Sequence, residues 1–420
     1  MISTKDNLDR ALVVGVAFRN DERGRIDEFL DELILLADTA GAKTVRKIFQ
    51  ERQSPDPAFF IGKGKAEEIK NICEGENINL VIFDDDLSGV QIRNLESIID
   101  RRVLDRSGLI LDIFGLRART REAKLQVEMA QLKYNMSRLA GQWQHLSKQY
   151  GVIGTRGPGE KQIEVDRRVI KKRISALRQK LDAISSQREL RRGRRNDVQK
   201  FALVGYTNAG KSTLMNALTG AETFVENRLF ATLDAFTRKT FLSPSIPCLL
   251  VDTVGFIRKL PPDLVASFKS TLEEVAFADY ILHVVDVSNQ TFREQIDVVN
   301  ETLAQLGCSA KPKIMVFNKV DRVEDFGIVR SVLNEYNGSS VAISAERHIN
   351  LNQLKDKMLE LMSSDIVEKS FRIKPAQSEK LAKILSVAEF IQESEHPDSL
   401  HLKVRMRKKD WEKLKREIYI

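Results

Sequence analysis

The sequence is poor in the residues that cross-link small or exported folds: its 420 residues include only three cysteines, Cys73, Cys248 and Cys308. They lie far apart, with no C-x-x-C pair and no nearby histidine ligands, which argues against a disulfide framework and against a zinc site. Long apolar runs are missing as well. None approaches the ~20 residues needed to cross a bilayer, and the start MISTKDNLDR lacks the basic-then-apolar layout of an export signal. A cytoplasmic, monomeric protein without a membrane span is expected, with peripheral membrane association as the closest approach to a bilayer. Neither sign of charge dominates: 67 Lys and Arg against 59 Asp and Glu give +8, a moderate excess that favours polyanionic partners without identifying one. The length exceeds one ordinary core and suggests about two to four domains.

The fold class expected is α/β and multidomain. From Ala11, apolar runs such as ALVVGVAF and NLVIFDDD alternate with amphipathic stretches such as RIDEFLDELILLA and VQIRNLESIID, the rhythm of an α/β domain over 1–113 built on a mainly parallel sheet. Leu125, Met129, Leu132, Met136, Leu139, Trp143 and Leu146 then recur at alternating four- and three-residue steps. After an interruption, Ile170, Ile174, Leu177, Leu181 and Ile184 do the same. This predicts a long antiparallel helical hairpin over 114–197, with a glycine-rich loop at 151–161 and the basic linker RELRRGRRN. Strand-like FALVGY, CLLVDTVG, DYILHVVDV and IMVFNKVD alternate with helical patterns over 198–364, a doubly wound α/β domain. Residues 365–420 read as a small α+β domain with strand FRIKP, a helix from Ser378 to Gln392, strand HLKVRMR and a final helix KKDWEKLKREI.

Gly205-Tyr206-Thr207-Asn208-Ala209-Gly210-Lys211-Ser212, followed by Thr213, matches G-x-x-x-x-G-K-[ST] between a strand and a helix. Backbone N–H groups of such a loop curl around phosphates, Lys211 supplies charge to the β- and γ-phosphates, and the Ser212 hydroxyl ligates Mg²⁺. Asp252-Thr253-Val254-Gly255 ends a second strand, where the carboxylate holds Mg²⁺ through water and the glycine lies against the γ-phosphate. Asn318-Lys319-Val320-Asp321 is more specific. A carboxylate at Asp321 accepts from the two donors on guanine's edge, a pair that adenine lacks. Ser344-Ala345-Glu346 ends the next strand, where a backbone amide meets the guanine oxygen. Thr232, in Phe230-Ala231-Thr232-Leu233-Asp234, is the candidate switch threonine that reaches Mg²⁺ only with GTP bound, and Phe230 and Ala231 are counted with the nucleotide site. Lys211, Thr232 and Gly255 are the candidate catalytic positions. Phe256 stands where many GTPases carry a water-orienting glutamine, so slow intrinsic hydrolysis stimulated by a partner is expected. Asn208 offers an oxygen near the phosphates, as in GTPases activated by K⁺.

These motifs, in this order and each after a strand, resemble the signature of the regulatory GTPase superfamily. With Ile61-Gly62-Lys63-Gly64-Lys65, Phe83-Asp84-Asp85-Asp86-Leu87, Asp105-Arg106-Ser107-Gly108, the loop Gly154-Thr155-Arg156-Gly157-Pro158-Gly159-Glu160 and Asp166-Arg167-Arg168, nearly the whole chain resembles the HflX family of ribosome-associated GTPases. That resemblance implies a GTPase that binds the ribosome, mainly the large subunit and its RNA, and splits or rescues stalled ribosomes under stress. Val152, Lys161 and Ala235 depart from the family pattern. The alternatives are a GTPase acting on tRNA or another RNA, and a GTP-timed protein interaction module. Gly62-Lys63-Gly64-Lys65 lacks full P-loop spacing and is expected to cap a helix or touch RNA.

Overall fold

A computed structural model of the chain describes residues 9–18, 25–142, 158–192, 198–220, 229–230, 236–259, 274–336, 338–363, 366–374, 377–396 and 399–418. Two compact units separate. The first comprises Met1–Arg192 with Glu226–Asp234 and Arg258–Ser270, and the second Gly193–Val225, Ala235–Ile257 and Thr271–Ile420.

In the first unit, β1 (Arg10–Ala17), β2 (Lys43–Glu51), β3 (Leu80–Phe83) and β4 (Arg102–Asp105) form a parallel sheet in the order β2-β1-β3-β4. Strand β1 is buried from Ala11 to Ala17, which is why it reads as an unbroken apolar run: helices cover both faces of a parallel sheet. The crossover helices are α1 (Ile26–Ala40), α2 (Lys63–Gly75) and α3 (Gly89–Ile99). Gly62, at φ 87°, is the residue that caps α2, so the Gly-Lys-Gly-Lys stretch serves as a helix start. Ser88 and Gln91 close a capping box on α3.

Helix α4 (Arg106–Arg117) runs across the expected 113/114 boundary, and α5 (Arg121–Gln142) follows. Asp105 ties these elements together. Its buried carboxylate accepts from the Leu87 amide at 3.0 Å, the Gly108 amide at 2.9 Å, the Tyr134 hydroxyl at 2.7 Å and Arg138. The second long helix, α6 (Pro158–Arg192), starts earlier than expected, so Pro158, Gly159, Glu160 and Lys161 are helical. Proline lacks an N–H and has a preset φ, which suits the first helical turn. Along α6, Leu177 is buried and Ile170, Ile174, Leu181 and Ile184 are half-buried, the seam the heptad spacing marks, while Arg173 pairs with Glu128 of α5. Trp143, Leu146 and 151–157 lie outside the described residues.

In the second unit a six-stranded sheet has the order β10-β9-β8-β5-β7-β6. Its strands are β5 (Lys200–Val204), β6 (Phe236–Ser243), β7 (Ile246–Asp252), β8 (Tyr280–Asp286), β9 (Lys313–Asn318) and β10 (Ser340–Ala342). Only β6 is antiparallel, and the sequence reading did not anticipate it. Helices packed on it include α7 (Lys211–Thr219), α8 (Phe292–Gln305), α9 (Phe326–Glu335) and α10 (Leu351–Leu361). Leu214 of α7 with Leu354 and Met358 of α10 joins one core with Leu203, Leu250 and Leu282, whereas Phe292, Ile296 and Val332 join another with Val285, Met315 and Phe317. Helices on both faces are the doubly wound arrangement, which gathers strand ends into a binding crevice.

The carboxy-terminal segment folds as β11 (Ile366–Ile373), α11 (Ser378–Val387), β12 (Glu389–His396), β13 (Ser399–Arg407) and α12 (Lys408–Ile418), with strand order β11-β13-β12. The helix expected to reach Gln392 ends at Val387. Residues from Glu389 pair antiparallel with β13, so tertiary pairing wins over a short amphipathic pattern.

Candidate nucleotide-binding site

Strand β5 delivers its last residues into the loop 205–210, and α7 begins at Lys211. Gly210, at φ 92°, packs so closely that a Cβ there would lie 2.3 Å from Asn318 Nδ2. Lys211 is buried, and its ammonium donates to the carbonyls of Gly205 at 3.0 Å and Tyr206 at 2.8 Å. Burial depresses its pKa to about 8, with Asp252 opposing the shift and Lys319 adding to it. Two backbone carbonyls of this loop thus point inward onto the cation it encloses.

Ser212 Oγ donates to Asp252 Oδ2 at 2.7 Å, while the buried Asp252 Oδ1 accepts no hydrogen bond. A hydroxyl, a carboxylate and a spare buried oxygen at one point fit a small hard cation, so Mg²⁺ suits these residues. Thr253 is fully buried and donates to the Leu203 carbonyl at 2.7 Å, which holds the strand-end segment against β5. The segment then lies across the P-loop. Thr207 N donates to Phe256 O at 2.7 Å, and Phe256 N donates to Gly205 O at 3.1 Å. Between them, a Cβ at Gly255 would fall 2.8 Å from Thr207 Cγ2 and 3.0 Å from Lys211 Nζ. Val254 and Phe256 are buried, and Asn208 is exposed at φ 62°.

Asn318 joins three motifs. Its buried side chain donates from Nδ2 to the Ala209 carbonyl at 2.9 Å and accepts at Oδ1 from the Ala345 amide at 2.9 Å. Lys319, at φ 63°, pairs with Asp286 Oδ2 at 2.7 Å, a partner at the end of β8 that the motif reading missed. Val320 N donates to Ile343 O at 3.2 Å, and Asp321 stands exposed in the 3₁₀ turn Val320–Arg322. Ser344 is buried and accepts from Arg347 N at 3.0 Å, whereas Glu346 is exposed and pairs with Arg322 at 2.8 Å. The structure therefore brings Gly205 to Thr213, Asp252 to Gly255, Asn318 to Asp321 and Ser344 to Glu346 to one end of the sheet.

The switch-region residues are placed differently. Ala231 and Thr232 lie outside the described residues. Phe230, counted with the nucleotide site, is buried with its ring edge-on to Phe114 at 4.7 Å between centroids. The first unit holds a charged cluster that the motifs Phe83-Asp84-Asp85-Asp86 and Asp105-Arg106 did not disclose. Asp84 accepts from Arg106 at 2.6 Å, from Arg258 at 2.8 Å and from Lys259 at 3.1 Å. Arg106 also pairs with Glu32 and donates to the Arg258 carbonyl at 3.2 Å, while the Arg258 guanidinium sits 3.6 Å over the Phe29 ring. Burial alone would raise the Asp84 pKa, but Arg106, Arg258 and Lys259 hold it below the ordinary carboxylate value. No described helix is long and apolar enough to cross a membrane.

Comparison with known proteins agrees with this arrangement. Residues 27–115 match the GTP-binding GTPase N-terminal family, 117–195 the GTP-binding GTPase Middle Region family, and 200–319 the 50S ribosome-binding GTPase family. The chain is similar to GTPase HflX of Escherichia coli K12, 40% identical over 417 residues covering 99% of this chain and 97% of that protein. It is also similar to GTPase HflX of Flavobacterium psychrophilum, 50% identical over 75% of this chain and 76% of that one. Among solved structures, the crystal structure of SsGBP with GDP aligns with a TM-score of 0.50 and 28% identity, covering 85% of this chain and 99% of that chain. With relatives this similar over nearly its full length and a P-loop braced by Asn318 and Asp252, the chain belongs to the HflX family of GTPases.

Proposed function

We propose that this GTPase binds the ribosome, mainly its large subunit, in the GTP-bound state and splits or rescues stalled ribosomes under stress. The observation that carries the switch is the position of Gly255. Its backbone shares a small volume with Lys211 Nζ, so a γ-phosphate drawn to that ammonium competes with the pairing of Phe256 to the P-loop. GDP makes no such demand, and the two nucleotides therefore favour different positions of the same segment.

Lys211 and the loop amides hold the phosphates, while Asp321 and a backbone amide of the Ser344–Glu346 segment read guanine. Ser212, hydrogen-bonded to Asp252, would hold Mg²⁺ together with Thr232 in the GTP state, and the ion would supply neutralising charge to the phosphates. Phe256 is 2% exposed and carries no polar group to orient water, so hydrolysis is slow until the partner completes the site. Asn208 is exposed within the phosphate loop and suits K⁺ as an activating charge.

The ribosomal partner is supported by the description of the family matched at 200–319 and by α6, where Arg167, Arg168, Lys171 and Lys172 line one open cleft with Glu164 and Ser175. Four cations within two helical turns offer phosphate contacts. Sedimentation with ribosomes in GDP or a non-hydrolysable GTP analogue, with GTPase rates measured with and without large subunits, tests the reading. Co-migration with the large subunit in the GTP-like state only, and a raised rate, is the expected result. Absence of association in both states would remove the ribosome from the proposal.

A further inference from the structure

The carboxy-terminal sheet is covered on one face only by its own helices. Phe371, Leu402, Val404 and Met406 pack with Ile384 of α11 and Leu414 of α12. Side chains alternate along a strand, so the intervening residues of the central strand β13 point to the other face. They are His401, Lys403, Arg405 and Arg407, one column whose members stand about 6.8 Å apart, two antiparallel residues each, with Arg407 held by Asp410 at 2.6 Å. The β11 register sets Arg372 beside His401 and Glu368 beside Arg405, and the β12 register sets Glu389 on the other side of Arg405. Lys403 and Arg405 keep 44% and 34% of their side-chain surface exposed, and both lean on the single carboxylate of Glu368, at 2.8 and 2.9 Å.

We propose that this face binds the phosphate backbone of double-helical RNA. Three features select that ligand. Lys403 and Arg405 stand on adjacent steps of the column with much of their side chains open to solvent, so a polyanion meets two cations side by side. The registers pair no Phe, Tyr or Trp with these basic residues among the described residues, and half-exposed Phe390 of β12 pairs with Val404 on the helix-covered side, which disfavours stacking of unpaired bases on this face. A three-stranded sheet is broad and shallow, the counterpart of the wide minor groove through which paired RNA is recognised by shape and backbone. Ion pairs this exposed are worth little, so a phosphate can take the place of Glu368 against Lys403 and Arg405 at small cost. The choice of RNA over an acidic protein rests on the ribosomal reading above.

The test uses the full chain with GDP and a fluorescently labelled RNA hairpin with a fully paired stem, followed by anisotropy across a KCl series. The double charge reversal Lys403→Glu with Arg405→Glu is expected to weaken binding about tenfold and to flatten the dependence of log affinity on log salt by roughly two. Glu368→Gln is expected to tighten it severalfold, a gain that misfolding cannot imitate. Wild-type affinity in the reversal variant, no change in Glu368→Gln, or tighter capture of poly-glutamate than of the hairpin would each overturn the assignment. Sedimentation of the wild-type protein with large subunits separates the two readings. Association with subunits while the hairpin affinity ignores both variants removes this face alone, whereas the expected hairpin response without subunit association removes the ribosomal role and leaves this face standing.

Discussion

Replacing Asn318 by alanine separates bracing from nucleotide recognition. The side chain is 2% exposed and makes two hydrogen bonds, both to backbone groups of other motifs, Ala209 O and Ala345 N. Truncation leaves a buried carbonyl and a buried amide without those partners. Each stranded group costs about 1–3 kcal/mol, so with partial relaxation the loss is about 2–4 kcal/mol. For a domain of this size that lowers the melting temperature by roughly 5–15 °C. The assay is thermal or denaturant unfolding of the nucleotide-free variant, read beside GDP affinity by calorimetry. Asp321→Asn is the contrasting case, since Asp321 is exposed and only guanine calls on it. It should leave nucleotide-free stability unchanged and lower GTP and GDP affinity. A nucleotide-free Asn318→Ala protein that melts with the wild type would refute the brace, whatever its affinity.

Lys211 carries a pH signature. Burial depresses its pKa to about 8 in the free protein, and phosphate raises it again, so binding takes up a proton above that pH. GDP affinity should fall as pH rises through 8 to 9, by up to tenfold per unit, and Lys211→Met should flatten the profile; a flat wild-type profile refutes the assignment. Asp84→Asn removes one member of a buried cluster and should cost about 3–5 kcal/mol at pH 7 by urea unfolding. Because the folded Asp84 pKa is lowered, the wild-type advantage is complete above the ordinary carboxylate pKa of about 4, shrinks as pH falls below it and is lost once pH has fallen through the folded value. A variant as stable as wild type at pH 7 would show that the cluster contributes nothing net. Asn208→Ala should abolish a severalfold excess of the GTPase rate in K⁺ over Na⁺; equal wild-type rates in the two salts would discard the K⁺ role.

The second unit was largely legible because its chemistry is local. A phosphate loop needs its glycines and lysine within eight residues, and each remaining motif occupies a few residues at a strand end, so spacing alone locates them. The parallel strands were legible for a related reason, being buried on both faces and therefore apolar throughout. Strand β6 was not, because FTRKTFLS is an edge strand with charges on its open side and pairs with β7 rather than following the apolar pattern. The start of β12 was misread as helix because four residues cannot display a period that distinguishes the two states once Ala388 has ended the turn.

Asp286 and the Asp84 cluster illustrate the other limit, which is distance along the chain. Asp286 ends a strand like Asp252 does, yet its carboxylate serves Lys319, and only the register of β8 beside β9, with Asp286 opposite Asn318, brings the two together. Asp84 and Arg258 are 174 residues apart, and nothing in either local sequence names the other. The composition of Phe83-Asp84-Asp85-Asp86-Leu87 nevertheless holds a clue. Carboxylates directly after a buried strand cannot all be desolvated unpaired, since an isolated buried charge costs far more than a fold can supply. Such a run therefore requires cations, and Arg106, which is itself 1% exposed, supplies one from the next strand end. The remaining requirement is met by Arg258 and Lys259, so the acidic run specifies that basic residues must reach it while leaving their position in the chain to the tertiary fold.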